Sequence, residues 1–168
     1  MPGIWVRRIA WFAVVAIIAW LLWMTLRPSR EISVPGMHMG TPLSKVNLRP
    51  FSHKVGAIRS LLASDFPSAK RSARTYLFVD VLGNIAVFVP LGAALAVATS
   101  PPGPRRRFGA RWWLRIIGAG LLLSLGIELV QLAVPSRATD VDDVILNTLG
   151  TMVGALLAWG LLRVTSHE

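Results

Sequence analysis

The chain has 168 residues, of which 54% are hydrophobic and 15% are charged, and it carries no cysteine and a formal net charge of +10. This composition is too apolar for a disordered protein, and the length is too short for two ordinary domains. The basic residues flank long uncharged runs instead of forming a stripe on a folded surface. The positive charge therefore indicates a membrane protein and excludes a nucleic-acid partner.

Four apolar windows are long enough, or nearly so, to cross a bilayer core about 30 Å thick, which requires roughly 20 helical residues. They run over residues 9–26, 76–99, 112–134 and 144–164. We therefore predict an all-α integral membrane protein with four transmembrane helices and one long loop between helices 1 and 2. The tryptophans expected to anchor helix ends at the membrane interface are Trp5, Trp23, Trp112 and Trp113.

The windows divide the chain into three parts. Residues 1–26 are predicted to form an N-terminal anchor helix, because the apolar run is longer than that of a signal peptide and no small-residue cleavage site follows it. Residues 27–75 are predicted to form an extracytoplasmic-side loop that is partly interfacial, with a weak amphipathic pattern from Phe51 to Phe66. Residues 76–164 are predicted to form a core of three helices.

The distribution of arginine favours one orientation in the membrane. The short loop after the second window contains the cluster Arg105-Arg106-Arg107, which in a four-helix topology lies on the same side as Arg7, Arg8 and Arg163. Short loops rich in Arg and Lys stay in the cytoplasm, so we expect a multi-pass membrane protein with both termini cytoplasmic. The nine basic residues of the long loop lie on the other side and argue against this orientation.

Polar residues in the last three windows fall on one membrane side, opposite the arginine cluster. Those on one helix are spaced three or four residues apart and so share a face. An ionisable group that faces lipid costs at least about 2.5–3.5 kcal/mol, so these faces should turn inward and form a pocket near one membrane face. The predicted pocket residues are Asp80, Asn84, Glu128, Gln131, Arg137, Asp140, Asp143 and Asn147.

These residue types allow several kinds of chemistry. Glu128 and Asp143 are the candidate catalytic acid/base groups, and Arg137 is suited to hold a phosphate or carboxylate. The remaining pocket residues would bind and orient a ligand, and the carboxylates could also hold a divalent cation. A structural alternative stays open, in which Thr139 and Asp142 form a capping box and the neighbouring acids begin a helix. Whether the chain is an enzyme is left undecided.

The fourth window also carries small residues on its polar face. Asp143, Asn147, Gly150 and Gly154 advance by four, three and four residues and therefore form one stripe. The two glycines form a GxxxG motif, which permits close approach of two helices. The motif is compatible with packing inside the chain and with a homo-oligomer formed through Gly150 and Gly154.

Several ordered motifs resemble the VanZ-like family of bacterial membrane proteins over roughly residues 47–162. They are the segments 47–51 (NLRPF) and 84–92 (NIAVFVPLG), Glu128 with Gln131, and a final set at fixed spacing. That set comprises Arg137, Asp140, Asp143, Asn147, Gly150 and Gly154. The resemblance implies a helical inner-membrane protein of a family named after a member linked to teicoplanin resistance, whose biochemical activity is not established.

The residues and the resemblance together predict a role in the bacterial cell envelope. In this reading, the polar pocket acts on or binds a lipid-linked or peptidoglycan-related ligand, with glycopeptide (teicoplanin) resistance as the associated phenotype. Two alternatives are a noncatalytic membrane assembly or binding protein, in which the same polar groups lock helices together, and a small ion-coupled transporter.

Overall fold

The structure, a computed structural model, describes residues 3–26, 46–63, 65–101, 108–133 and 139–164. It is almost entirely helical, as predicted. The described residues form six α-helices: α1 (Ile4–Leu26), α2 (Ser52–Ala63), α3 (Pro67–Leu77), α4 (Gly83–Ala98), α5 (Ala110–Gln131) and α6 (Val141–Val164). A π-helical turn, Phe78–Leu82, joins α3 to α4, and two short strands, β1 (Val46–Asn47) and β2 (Thr139–Asp140), pair in parallel.

The four predicted membrane spans are confirmed by length and composition. The helical segments Ile4–Thr25, Ala73–Ala98, Ala110–Gln131 and Val141–Val164 are each long and apolar enough to cross a membrane. The second span begins three residues earlier than its apolar window, because the end of α3 runs through the π-helical turn into α4 without a break. Many large apolar side chains on the spans are exposed, including Phe12, Leu122 and Leu161, which fits helices surrounded by lipid.

Helix α4 lies at the centre of the bundle and packs along α6, with further contacts to α1 and α5. Small residues make the α4–α6 approach close: a Cβ added at Gly150 or Gly154 would collide with the carbonyl oxygen of Ile85 or Val89. The GxxxG motif therefore packs inside the chain, which is one of its two predicted uses. The buried core includes Val14, Leu21, Phe88, Leu91, Ile116, Ile127 and Ala155.

The predicted tryptophan anchors do not share one environment. Trp5 and Trp23 are exposed, as membrane-interface anchors should be. Trp112 is buried, which corrects the prediction, because its ring lies in an edge-to-face row with Phe108 and Trp113 where α5 begins. Trp113 extends that row to Trp159 near the end of α6, at a centroid distance of 5.9 Å.

The described part of the long connection contains two helices, α2 and α3, which contact each other. Helix α2 covers most of the segment from Phe51 to Phe66 and exposes Val55, Ile58 and Leu62. Three sequence features lie outside the described residues: most of the first half of the loop, the arginine cluster 105–107, and Arg137 with its neighbours.

Candidate functional site

The acidic residues come together where α6 begins, beside the π-helical turn and the end of α5. The parallel pairing of β1 with β2 sets Val46 opposite Thr139 and Asn47 opposite Asp140. This pairing brings the loop segment before α2 next to the first turn of α6. The loop that follows the first span thus completes a site whose other side chains belong to the spanning helices.

Asp140 caps the start of α6. Its Oδ1 accepts hydrogen bonds from the backbone N–H of Asp142, at 3.0 Å, and from Nδ2 of Asn47, at 3.1 Å. A side chain that accepts from the second helical N–H is the usual N-cap arrangement. The Thr139 hydroxyl instead donates to the carbonyl oxygen of Glu128, at 3.2 Å. The capping box of Thr139 and Asp142, one of the predicted alternatives, therefore does not form.

Lys54 of α2 joins two of the acids. Its Nζ lies 2.7 Å from an oxygen of Asp142 and 2.7 Å from an oxygen of Asp80. The side chain of Lys54 is 5% exposed and that of Asp142 is fully buried, whereas that of Asp80 is 27% exposed. Burial by itself lowers the pKa of Lys54, but the hydrogen bonds and negative charges of Asp142 and Asp80 outweigh it. The net effect is a pKa well above its usual range.

The turn before α2 supplies the second contact to Asp142. The backbone N–H of Phe51 donates to Oδ1 of Asp142 at 2.7 Å, so both carboxylate oxygens of this buried acid are satisfied. Phe51 has a φ of 58°, in the left-handed region that costs about 1–3 kcal/mol for a residue other than glycine. Oδ1 of Asn47 accepts from the backbone N–H of Arg49 and from the Ser52 hydroxyl, which closes the turn.

Two further contacts lie along the polar stripe of α6. Nδ2 of Asn84 donates to Oδ1 of Asp143 at 2.7 Å, linking α4 to α6. One turn deeper, Nδ2 of Asn147 donates to the hydroxyl of Ser124 at 2.9 Å, linking α6 to α5. Oδ1 of Asn147 is buried and has no hydrogen-bond partner among the described residues.

Glu128 and Gln131 lie at the end of α5. Glu128 is 3% exposed, and its Oε2 accepts a hydrogen bond from the backbone N–H of Asp140 at 3.1 Å. Gln131 is buried beside it in the last turn of the helix. Glu128 thus holds the chain segment that leads into α6.

Four of the predicted pocket residues therefore meet in two pairs, and new residues join them. The structure brings together Asn84 with Asp143 and Glu128 with Asp140, and it connects Asp80 to the same end of the bundle through Lys54. Arg137 lies outside the described residues. The residues that sequence reasoning did not place in the site are Asn47, Lys54, Ser124 and Asp142. The NLRPF motif is the sequence signal for this segment, because it ends three residues before Lys54.

The site retains an excess of acidic groups over the lysine paired with them. Five carboxylates lie at this end of the described chain, at positions 80, 128, 140, 142 and 143, and Lys54 pairs with two of them. Asp80, Asp140 and Asp143 are partly exposed, whereas Glu128 and Asp142 are buried. Nowhere in the described ranges do three carboxylate or histidine side chains form a group that could hold a metal ion. The arrangement favours binding of ammonium, amide or hydroxyl donors over binding of free anions.

The fold and the site define a polytopic helical membrane protein with an acidic cluster at one end of its bundle. The family model described as VanZ/LLP1 matches residues 11–163, so the chain belongs to this family. It is similar to a protein named Protein VanZ from Enterococcus faecium, with 32% identity over 80 residues. That match covers 48% of this chain and 44% of the Enterococcus protein. No solved structure matches the chain.

Proposed function

We propose that the chain is a VanZ-like protein of the bacterial cell envelope whose acidic cluster binds a lipid-linked or peptidoglycan-related ligand. The observation that carries the proposal is the excess of carboxylates, together with the partial exposure of Asp80 and Asp143. Peptidoglycan precursors present amide, hydroxyl and ammonium donors, and such groups complement an acidic site. In a catalytic version, Asp143 acts as the general acid or base, because it is more accessible than the buried Glu128.

The associated phenotype that we propose is reduced susceptibility to teicoplanin, which the family resemblance implies. The test is expression of the chain in a susceptible host, with teicoplanin and vancomycin susceptibility measured in parallel. We expect reduced teicoplanin susceptibility with the unmodified chain. No change with either antibiotic would overturn this part of the proposal.

The variant Asp143→Asn tests the site itself. Its new amide oxygen can still accept the hydrogen bond from Asn84, so the charge is removed while the contact between α4 and α6 is kept. We expect loss of the phenotype with unchanged protein level and unchanged unfolding in detergent. Gly160→Ala is the matched control in the same helix, because an added Cβ there meets nothing within 4 Å.

A second candidate function, a noncatalytic assembly role, is favoured by the contacts within the cluster. The carboxylates at positions 80, 128, 140, 142 and 143 each contact a lysine, an asparagine or a backbone N–H of the same chain. In this alternative, the polar set locks helices together. Because Asp143→Asn keeps the hydrogen bond from Asn84, it would then leave both the amount of folded protein and the phenotype unchanged, which separates the two functions.

A further inference from the structure

A groove separate from the acidic cluster runs along the outer face of the second span where that span begins. It has a volume of about 650 Å³, and its walls include Leu61 of α2, Phe78 and Leu82 of the π-helical turn, and Arg74 with Thr75 of α3. Except for Arg74 and Thr75, the lining side chains are apolar. An apolar groove with a charged side chain in its wall is suited to an amphiphile and not to a fully polar molecule.

The charged end of the groove is basic. Arg74 is exposed, and within the described ranges no carboxylate forms an ion pair with it. Lys70 and Arg71 lie one turn earlier on α3, so positive charge extends along this side of the helix. A phosphate group would complement the guanidinium of Arg74 and accept a hydrogen bond from the Thr75 hydroxyl.

The apolar part of the groove continues directly from the basic part. Leu77 and Phe78 follow Arg74 by three and four residues and so lie on the same face of the helical segment. Phe78 and Leu82 are exposed side chains of a membrane span, so they face the lipid. Arg74 is in the first turn of that span, at the level where phospholipid headgroups lie.

From this geometry we propose that the groove binds an anionic phospholipid of the surrounding bilayer. The phosphate lies at Arg74 and Thr75, and one acyl chain follows Leu61, Phe78 and Leu82. The charge favours an anionic over a zwitterionic headgroup, because a nearby basic residue adds about 1 kcal/mol of attraction to an anionic membrane surface. The proposal does not depend on the ligand of the acidic cluster.

The test is native mass spectrometry of the full-length protein released from micelles that contain equal amounts of phosphatidylglycerol and phosphatidylcholine. We expect retention of phosphatidylglycerol in preference to phosphatidylcholine, and a decrease of that preference by about fivefold in Arg74→Gln. Arg111→Gln is the matched control, since Arg111 is an exposed arginine at the opposite end of the bundle. Phe78→Ala should weaken retention of phosphatidylglycerol without removing the preference for the anionic headgroup.

Three results would overturn the proposal. Equal retention of both lipids by the unmodified protein would show that no headgroup is recognised. An equal effect of Arg74→Gln and Arg111→Gln would show that net charge, and not the groove, determines retention. Displacement of phosphatidylglycerol by trace amounts of a polyprenyl phosphate, dependent on Arg74, would assign the groove to a lipid-linked phosphate instead. Unfolding in detergent, expected to be unchanged in Arg74→Gln, separates these results from misfolding.

Discussion

At the scale of single residues, the central electrostatic feature of the acidic cluster is a buried lysine between two carboxylates. Lys54 belongs to α2, Asp80 to the π-helical turn and Asp142 to α6, so one ammonium group connects three elements. Removing one partner of a buried ion pair costs about 3–5 kcal/mol, because the remaining charge is left without compensation. The corresponding cost at an exposed pair is about 0–1 kcal/mol.

We therefore predict that Lys54→Met lowers the free energy of unfolding by about 3–5 kcal/mol. The control is Arg59→Met, at an exposed position of the same helix, which should change the free energy of unfolding by less than about 1 kcal/mol. Equilibrium unfolding in detergent micelles measures both. The double variant Lys54→Met with Asp142→Asn should recover much of the loss, since the new amide oxygen can still accept from Phe51. Similar losses in the two single variants would contradict a buried ion-pair network.

The same lysine predicts a dependence of stability on pH. Its pKa in the folded protein lies above the ordinary value of 10.5, so the folded state binds this proton more tightly than the unfolded state does. Its contribution to stability is complete below about pH 10.5 and is lost as the pH rises through the folded-state pKa. We expect the difference in unfolding free energy between the unmodified chain and Lys54→Met to be constant from about pH 7 to 10 and to shrink above that range. A difference that already shrinks below pH 10 would contradict this assignment.

At the scale of elements, the contact between α4 and α6 depends on glycine at positions where no side chain fits. A Cβ at residue 154 would meet the carbonyl of Val89 and the backbone nitrogen of Ala93, and backbone atoms cannot move aside as a flexible side chain can. We predict that Gly154→Ala lowers the free energy of unfolding by about 1–3 kcal/mol through overpacking. Gly160→Ala, six residues later, should be neutral or stabilising by up to about 1 kcal/mol, because alanine has the higher helix propensity. Unfolding in detergent checks both, and equal effects would refute the close packing of these helices.

The second span shows what sequence periodicity can and cannot predict about an element. Hydropathy located the span, because the thickness of a bilayer fixes the length of an apolar helix. The π-helical turn at Phe78–Leu82 was not predictable, since it adds a residue to one turn and interrupts the 3.6-residue period. The spacing of Asp80 and Asn84 predicts that they share a helix face. In the structure, however, Asp80 contacts Lys54, whereas Asn84 contacts Asp143.

At the scale of the whole molecule, alternating spans predict that the acids of three helices lie at one end of the bundle. In the structure, Lys54 bridges Asp80 and Asp142, and Glu128 accepts from the backbone N–H of Asp140. Lys54 could not be predicted in the same way, because its position depends on the turn at residues 47–51 and on the pairing of β1 with β2. A lysine in a long basic loop is normally solvated. Here Lys54 is buried instead, because the described part of the loop around it folds onto the acidic end of the bundle.

The orientation of the whole molecule determines which compartment the acidic cluster faces. The opposite end carries Arg7, Arg111 and Arg163, and the Arg7 guanidinium donates to the carbonyl oxygen of Ala98 at the end of α4. Basic residues beside the first helix and in short loops weigh most in setting the orientation, so, against the nine basic residues of the long loop, we expect this end to be cytoplasmic and the cluster to face outward. The absence of cysteine allows a direct test, because a single introduced thiol has no labelling background.

We predict that a membrane-impermeant thiol reagent labels Arg49→Cys in intact cells and labels Gly109→Cys only after permeabilisation. Both positions are exposed, Arg49 in the turn beside the acidic cluster and Gly109 immediately before α5. A Cβ at Gly109 meets nothing within 4 Å, and its backbone is extended, so a cysteine fits there without strain. The reverse labelling pattern would place the acidic cluster in the cytoplasm. Its ligand would then have to be a cytoplasmic precursor, because the outer envelope would be out of reach.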